Sequence, residues 1–524
     1  MEIATLENII LAGYFISLCV LFGFGISAFT MVYHHLKHRY DEEPELNDLK
    51  TQFGDETNFP VVTIQLPLYN ELYVSQRVIE ACCNISYPKE KLEIQVLDDS
   101  TDETTLVVSE SVSKYQRLGF DIKHIRRGSR EGFKAGALKF GMETARGEYI
   151  AIFDADFVPY SDFLEQTIPY FENEKIGMVQ TRWEHLNGDN SLITKIQSLA
   201  LDGHFIMEQN VRNKAGYFIN FNGTGGVWRK SCILDAGNWE ADTITEDLDL
   251  SYRAQLRGWK FKFLPYVTSP AELPSEINAL KAQQFRWTKG AVEVARKMLW
   301  KVWKSDIPFH IKVHSFFHLT NNIVFPFIFL AGLFNVPIVF IKHQGGFETY
   351  FQIMSIFVLA FIGSFLFYML AQKELYTDWR KRLLLFPLFM SGSMGFAVNN
   401  TRAVIEGLFK KKSEFVRTPK YNLSNTSSDR LKNQNVEFEW LNKKYVPLHV
   451  SLSVIFESLL AVYFILGIFM SLYFVEIAAL PFQLLFFSGF GFTSYLSLKH
   501  AWLARKAQKH RIAIEAQSPF AIKS

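Results

Sequence analysis

Cysteine is scarce in this chain, with four among 524 residues. Cys19, Cys82, Cys83 and Cys232 show no paired C-x-x-C spacing, which excludes a disulfide scaffold and argues against a cysteine-held zinc site. Net charge is nearly absent too. The 55 Lys and Arg against 53 Asp and Glu leave +2, without the basic excess of a nucleic-acid-binding protein, and no nucleic acid is expected as a partner. Proline numbers only 17, whereas 48% of residues are apolar and Phe alone reaches 49, a composition that excludes a disordered chain. Charge is also missing locally. The mean hydropathy of +0.04 is an average over long uncharged runs and a polar block set between them.

The uncharged run Asn8–Tyr33 is long enough to cross a bilayer core and too long for the apolar part of a cleaved signal peptide. His34, His35, Lys37, His38 and Arg39 follow, so the positive-inside rule sets the N-terminus outside and residue 40 onward in the cytoplasm. Further apolar runs cover 313–341 and 349–372, then 447–475 and 477–498. Each pair reads as a hairpin returning to the cytoplasm, one beside Lys373, Arg380, Lys381 and Arg382, the other beside Lys499, Arg505, Lys506, Lys509 and Arg511. If 383–401 crossed as well, Lys410, Lys411, Lys412, Arg417 and Lys420 would lie outside. That run is therefore expected to be re-entrant or interfacial, leading into the amphipathic stretch Arg402–Phe409, and five full spans are expected. Glu457, within the fourth span, is either an interfacial residue that snorkels or a polar lining of a conduit.

Between the first two spans, residues 58–270 alternate short apolar runs with amphipathic stretches. VVTIQL (61–66), LEIQVL (92–97), IKHI (122–125), YIAIF (149–153) and GMVQ (177–180) read as strands, with helices near 72–84, 102–117, 134–145 and 161–172. Such alternation predicts a mostly parallel α/β sheet, whose ligands bind beyond the carboxyl ends of the strands.

Acidic residues follow these runs. Asp98 and Asp99 come directly after LEIQVL, and Ser100 and Glu103 have the spacing of a capping box; the plain alternative is that the two aspartates cap the next helix. Asp154-Ala155-Asp156 follows YIAIF, and two hard carboxylates at a strand end suit Mg²⁺ or Mn²⁺ bound with a diphosphate. Thr245-Glu246-Asp247 precedes a helical stretch, where the carboxylates either complement the helix dipole or supply a general base, Asp247. Gln283, Arg286 and Trp287 share one face of a helix expected over 275–300, where Arg can clamp a phosphate and Trp can carry a sugar ring. The same stretch, with Lys281, Lys289, Arg296 and Lys297, also reads as a membrane-surface helix. Lys134 opens a helix, a place that favours an anion.

The series Asp-Asp, D-x-D, T-E-D and Q-x-x-R-W, in this order with spans on both sides, resembles the processive family 2 glycosyltransferases of the cellulose-synthase type. Gly132-Phe133-Lys134-Ala135-Gly136, Gln180-Thr181-Arg182-Trp183 and Phe221-Asn222-Gly223-Thr224 resemble the mannan and glucomannan synthase subgroup most. The resemblance implies a GT-A (Rossmann-like) α/β domain inserted between transmembrane helices. It assigns Pro67, Tyr69, Glu71, Asp98, Asp99 and Lys134 to the nucleoside diphosphate, and Asp154 and Asp156 to the metal, Mg²⁺ or Mn²⁺. Glu246 and Asp247 carry the catalytic motif, with Asp247 the base, while Gln283, Arg286 and Trp287 position the acceptor end and the diphosphate. Trp183, Phe221, Asn222, Gly223 and Thr224 are expected to bind substrate, with Trp183, Phe221 and Trp287 at the start of an export channel. Phe415-Val416-Arg417-Thr418-Pro419-Lys420 resembles the family's gating loop, with Thr418 and Lys420 nearest the nucleotide and Arg417 where cellulose synthases usually carry Val.

The expected organisation is a span in 1–40, a cytoplasmic GT-A domain in 41–274, the Q-x-x-R-W and interface helices in 275–312 and a hairpin in 313–372. An interface segment with the gating loop follows in 373–446, then a second hairpin in 447–498 and a basic tail in 499–524. The implied reaction is inverting transfer of a hexose from a nucleoside-diphosphate sugar, GDP-mannose or UDP-glucose, to a growing β-glycan. The glycan acceptor, the lipid bilayer and export or accessory subunits are the expected partners. The chain would be a multi-pass protein of a bacterial inner membrane or a Golgi membrane. The alternatives are a glycolipid glycosyltransferase that adds one sugar to ceramide or diacylglycerol, and a non-catalytic scaffold.

Overall fold

The computed structural model describes residues 2–40, 48–411, 417–423, 440–441, 443–446 and 451–517, with side chains described from 5 to 509. Phe415 and Val416 of the loop, Lys412 and the side chain of Arg511 therefore lie outside the described residues.

Seven strands form one sheet in the order β3-β2-β1-β4-β6-β5-β7. They are β1 (Val62–Leu68), β2 (Leu92–Asp98), β3 (Asp121–Ile125), β4 (Tyr149–Ile152), β5 (Ile176–His185), β6 (Gly226–Arg229) and β7 (Lys260–Ala271). All neighbours pair in parallel except β6, which is antiparallel to β4 and β5. β1, β2 and β4 are almost wholly buried because helices cover both faces, which is why they read as continuous apolar runs rather than alternating ones. One core gathers Ile64, Val96, Val108 and Phe163; the other gathers Leu138, Ile150, Trp228 and Trp239. β1 is a switch point of the sheet: the chain lays β2 and β3 on one side of it and β4 on the other, and ligands bind at such a switch.

β1 to β5 match the expected runs; β6 and β7 add two strands not foreseen. β6 is short and glycine-led. β7 contains Pro265 and Pro270, and its ladder with β5 slips between Thr181↔Leu264 and Arg182↔Thr268. A bulge of this kind absorbs a residue that cannot donate to the ladder. The capping box does not form. The helix starts at Thr104, whose N–H donates to Asp102 Oδ1 at 3.0 Å, while Ser100 Oγ accepts from Asn70 N at 2.8 Å.

Among the described residues five helices are long and apolar enough to cross a membrane: Thr5–Lys37, Phe309–Gln344, Glu348–Leu375, Ser453–Tyr473 and Ile477–Lys509. The awkward run is a pair of helices, Trp379–Gly395 and Ala397–Leu408, bent by 46°. Glycines let it approach its neighbour: a Cβ on Gly395 would lie 2.5 Å from Gly489 O. Glu457 neither snorkels nor lines a conduit. It is fully buried, and Lys281 Nζ stands 2.6 Å from its Oε2, tying the Ile277–Lys304 helix to the fourth of the five.

Candidate active site

The loops that leave β1, β2 and β4 open onto one cavity of about 220 Å³. Tyr69 and Glu71 follow β1, Asp99 follows β2, and Asp154 and Asp156 follow β4. The floor comes from the Ile277–Lys304 helix, whose Gln283, Arg286 and Trp287 reach the cavity from one face. Thr245-Glu246-Asp247 enters from the side. It is pressed against that helix at Gly290, where a Cβ would lie 2.5 Å from Thr245 Cγ2.

The D-x-D turn is held from behind and met from the front. Asp154 N donates to Thr224 Oγ1 at 2.8 Å. Lys134, in the first turn of the Phe133–Met142 helix, sets its Nζ 2.5 Å from Asp154 Oδ1 and 2.9 Å from Gly223 O. Lys420 Nζ stands 2.5 Å from Asp156 Oδ2. Gly223 has φ +80°, and a Cβ there would meet Asp247 Oδ2 at 3.2 Å and Lys134 Nζ at 3.4 Å, so Asp247, Lys134 and Asp154 share one corner. At the other end the Arg130 guanidinium lies 3.3 Å over the Tyr69 ring, and Arg417 pairs with Glu71 at 3.0 Å.

Crowding of acids in a dry cleft shifts their protonation. Burial, then the neighbouring Glu246 charge, push Asp247 up to about 7, with Lys134 opposing. Glu71 is pushed up to about 7 by burial against the pull of Arg417. Burial raises Asp154 too, with Asp156 adding to it and Lys134 opposing. For Lys134 the Asp154 and Glu246 charges outweigh burial and raise it, whereas burial lowers Arg286.

The sequence model of the family described as Glycosyltransferase like family 2 matches residues 60–290. Over those residues the chain is similar to the family 2 glycosyltransferases. The chain is 41% identical over 307 residues, 57% of each chain, to glucomannan 4-beta-mannosyltransferase 9 of Arabidopsis thaliana. It is 44% identical over 270 residues, 50% of each chain, to glucomannan 4-beta-mannosyltransferase 1 of Oryza sativa subsp. japonica. The matched region thus spans about half the length of these curated relatives. A solved mannosyltransferase, PcManGT from Pyrobaculum calidifontis in complex with GDP-Man and Mn2+, shares the GT-A fold with a TM-score of 0.53 at 18% identity, covering 77% of this chain and 100% of its own.

Most of the expected residues converge. Pro67, Tyr69, Glu71, Asp99, Lys134, Asp154, Asp156, Trp183, Asn222, Gly223, Glu246, Asp247, Gln283, Arg286, Trp287, Thr418 and Lys420 all line the one cavity. Three do not. Asp98 turns inward, 2.8 Å from His124 Nε2, and its Oδ1 accepts from Ser100 N at 2.9 Å. Phe221 is core, edge-on to Trp228, rather than part of a channel mouth. Thr224 braces Asp154 from behind. Two charged cavity residues were not foreseen. Glu272, just past β7, is held by Arg77 at 3.0 Å and by Tyr421 N at 2.8 Å; Arg130 covers Tyr69. An acid after an apolar run was the signal for Glu272, masked because β7 was not recognised.

Asp154 and Asp156 fit a divalent ion. Their hard oxygens face one cavity, and burial and the neighbouring Asp156 charge, which raise Asp154, are what a cation would offset. Glu240, Asp242 and Asp249 also bring carboxylate oxygens within 4.8 Å of one another, around Lys297 Nζ at 2.6, 2.8 and 2.9 Å, but they do not line that cavity.

Proposed function

We propose that this chain transfers a hexose, mannose first, from a nucleoside-diphosphate sugar to the end of a growing β-glycan, inverting the anomeric carbon. The observation that carries the reading is the convergence of Asp154, Asp156, Asp247, Arg286 and Trp287 on one cavity. The mannosyl specificity is drawn from the names of the curated relatives.

Asp247 takes the proton of an acceptor hydroxyl as its oxygen bonds to the anomeric carbon on the face opposite the diphosphate. The bond from that carbon to the diphosphate oxygen breaks, and the nucleoside diphosphate leaves with the electron pair. An α-linked donor therefore gives a β-linked product. Positioned proton transfer of this kind supplies about 10²–10⁴-fold. Arg286 and Lys134 lie where negative charge grows on the leaving group, and preorganised cations in a cleft stabilise it. A divalent ion, Mg²⁺ or Mn²⁺, held by Asp154 and Asp156 would supply further charge neutralisation at the diphosphate. Lys134 and Lys420, paired with these carboxylates here, are free to turn to phosphate oxygens once the donor is in place. Tyr69 and Arg130 offer flat faces for the base.

Trp183 and Trp287, with ring centroids 6.4 Å apart, form the apolar end where the acceptor sugar rests. The glycan then leaves through the membrane helices, since a polar polymer cannot cross lipid unaided. The domain and the C-terminus face the cytoplasm by the charge rule. The test is incubation of the purified chain with labelled GDP-mannose, GDP-glucose or UDP-glucose and Mg²⁺ or Mn²⁺, followed by linkage analysis. A β-linked hexose polymer is expected. A single sugar on a lipid, or no transfer from any donor, would overturn the reading.

A further inference from the structure

Several buried hydrogen-bond donors at the cavity are unsatisfied among the described residues, and two of them lie on the sheet side of it. Among the described residues, neither Trp183 Nε1 nor Asn222 Nδ2 has a partner, and both residues line the cavity. A buried donor without an acceptor costs free energy that a ligand oxygen recovers. The orientation of Asn222 is not arbitrary. Asn220 Nδ2 donates to the Phe221 carbonyl at 3.0 Å, which fixes its amide, and the same nitrogen donates to Asn222 Oδ1 at 2.9 Å. His204 Nε2 donates a second bond to Asn222 Oδ1 at 3.1 Å, which, with Nδ1 donating to Glu208, puts a proton on both ring nitrogens. His204 is in turn held at Nδ1 by Glu208 Oε2 at 2.8 Å, and Arg212 lies 3.8 Å beyond. His204 and Glu208 belong to a π-helical stretch, His204–Asn210, an uncommon geometry that recurs at functional sites. With Asn222 Oδ1 so engaged, its N–H₂ group is left to the cavity.

The sugar these donors serve is fixed by the base. Gly223, next in the chain, abuts Asp247 Oδ2, and the group that meets Asp247 is the acceptor hydroxyl. Lys134 and Asp154 share that corner, and the acceptor side of it is marked by Trp183, whose ring centroid lies 6.4 Å from that of Trp287. We propose that His204 and Glu208 are positioning residues for the acceptor sugar: they hold Asn222 so that its amide N–H₂ and the Trp183 indole N–H donate to hydroxyl oxygens of the sugar whose reacting hydroxyl meets Asp247. This rests on the functional reading above and adds a residue pair that touches no substrate itself.

His204→Gln and His204→Asn separate the two contacts. The Gln amide nitrogen falls near the position of Nε2 and keeps the bond to Asn222; the Asn amide falls near Nδ1 and keeps only the bond to Glu208. Purified full-length variants are assayed with GDP-mannose, Mn²⁺ and a β-1,4-manno-oligosaccharide, alongside thermal unfolding in detergent. His204→Asn should raise the acceptor KM about tenfold, the scale of one lost hydrogen bond, with the donor KM and the hydrolysis of donor by water unchanged. His204→Gln should stay near the wild type, and Glu208→Gln should move the acceptor KM in the direction of His204→Asn. Equal behaviour of the two His204 variants, or a donor KM that moves with the acceptor KM, overturns the positioning role. A wild type that extends no glycan overturns the functional reading instead.

Discussion

If Asp247 takes the acceptor proton, transfer must follow its ionisation. The group is buried beside Glu246 and pushed up to about 7, so its basic form is lost on acidification from neutral pH. At pH 5, two units lower, about one Asp247 in a hundred is ionised, and kcat/KM should stand about 100-fold below its plateau. Glu71 titrates in the same window, but it faces the nucleoside end, so its contribution appears in nucleotide affinity measured separately at each pH. The diagnostic perturbation is Glu246→Gln. Glu246 is the second cause of the shift after burial, and removing its charge lowers the Asp247 midpoint, so the acid limb should move to lower pH. Asp247→Asn should cost about 10²–10⁴-fold on the plateau above pH 7, and the gap to the wild type should narrow on acidification, while nucleotide binding stays largely intact. The assay is initial-rate incorporation of labelled mannose from subsaturating GDP-mannose between pH 5 and 9. A profile flat from 5 to 7, or an acid limb in Glu246→Gln that stays with the wild type, would refute the assignment of the base.

Three further outcomes are expected. Asp156→Ala should weaken nucleoside-diphosphate binding in the presence of Mn²⁺ by more than about tenfold in calorimetry, with little change when the metal is chelated. Gly290→Ala puts a Cβ 2.5 Å from Thr245 Cγ2 and 3.0 Å from its backbone nitrogen. It should cost about 1–3 kcal/mol and reduce kcat by displacing the Thr245-Glu246-Asp247 turn; helix propensity alone predicts stabilisation by up to about 1 kcal/mol, so the sign of the Tm change decides. Glu457→Leu leaves Lys281 buried without its carboxylate and should lose about 3–5 kcal/mol, whereas Lys281→Leu with Glu457→Leu should recover most of it in thermal unfolding.

What was readable in the sequence follows from how each feature is encoded. β1, β2 and β4 are buried on both faces, so each leaves an unbroken apolar run, and the acids that end those runs stand out against it. β7 carries two prolines and a bulge, which erase both the run and its period. Neighbouring residues in a motif are harder still. Asp98 and Asp99 look equivalent on paper, yet successive side chains at a strand end point to opposite faces: Asp98 meets His124 in the interior, and Asp99 meets Arg127 at the cleft. Phe221 and Asn222 divide the same way, one into the core and one into the cavity. Motif spacing names the pair; only the register names the partner that does chemistry. Glu457 shows the complementary case. Its carboxylate is visible in an apolar run, but its meaning lies in Lys281 on a helix far away in sequence, two residues before Gln283-Gln284-Phe285-Arg286-Trp287. A charge held there at 2.6 Å anchors the helix that carries Arg286 and Trp287, so the apolar Ser453–Tyr473 helix and the cavity are braced by one buried bond.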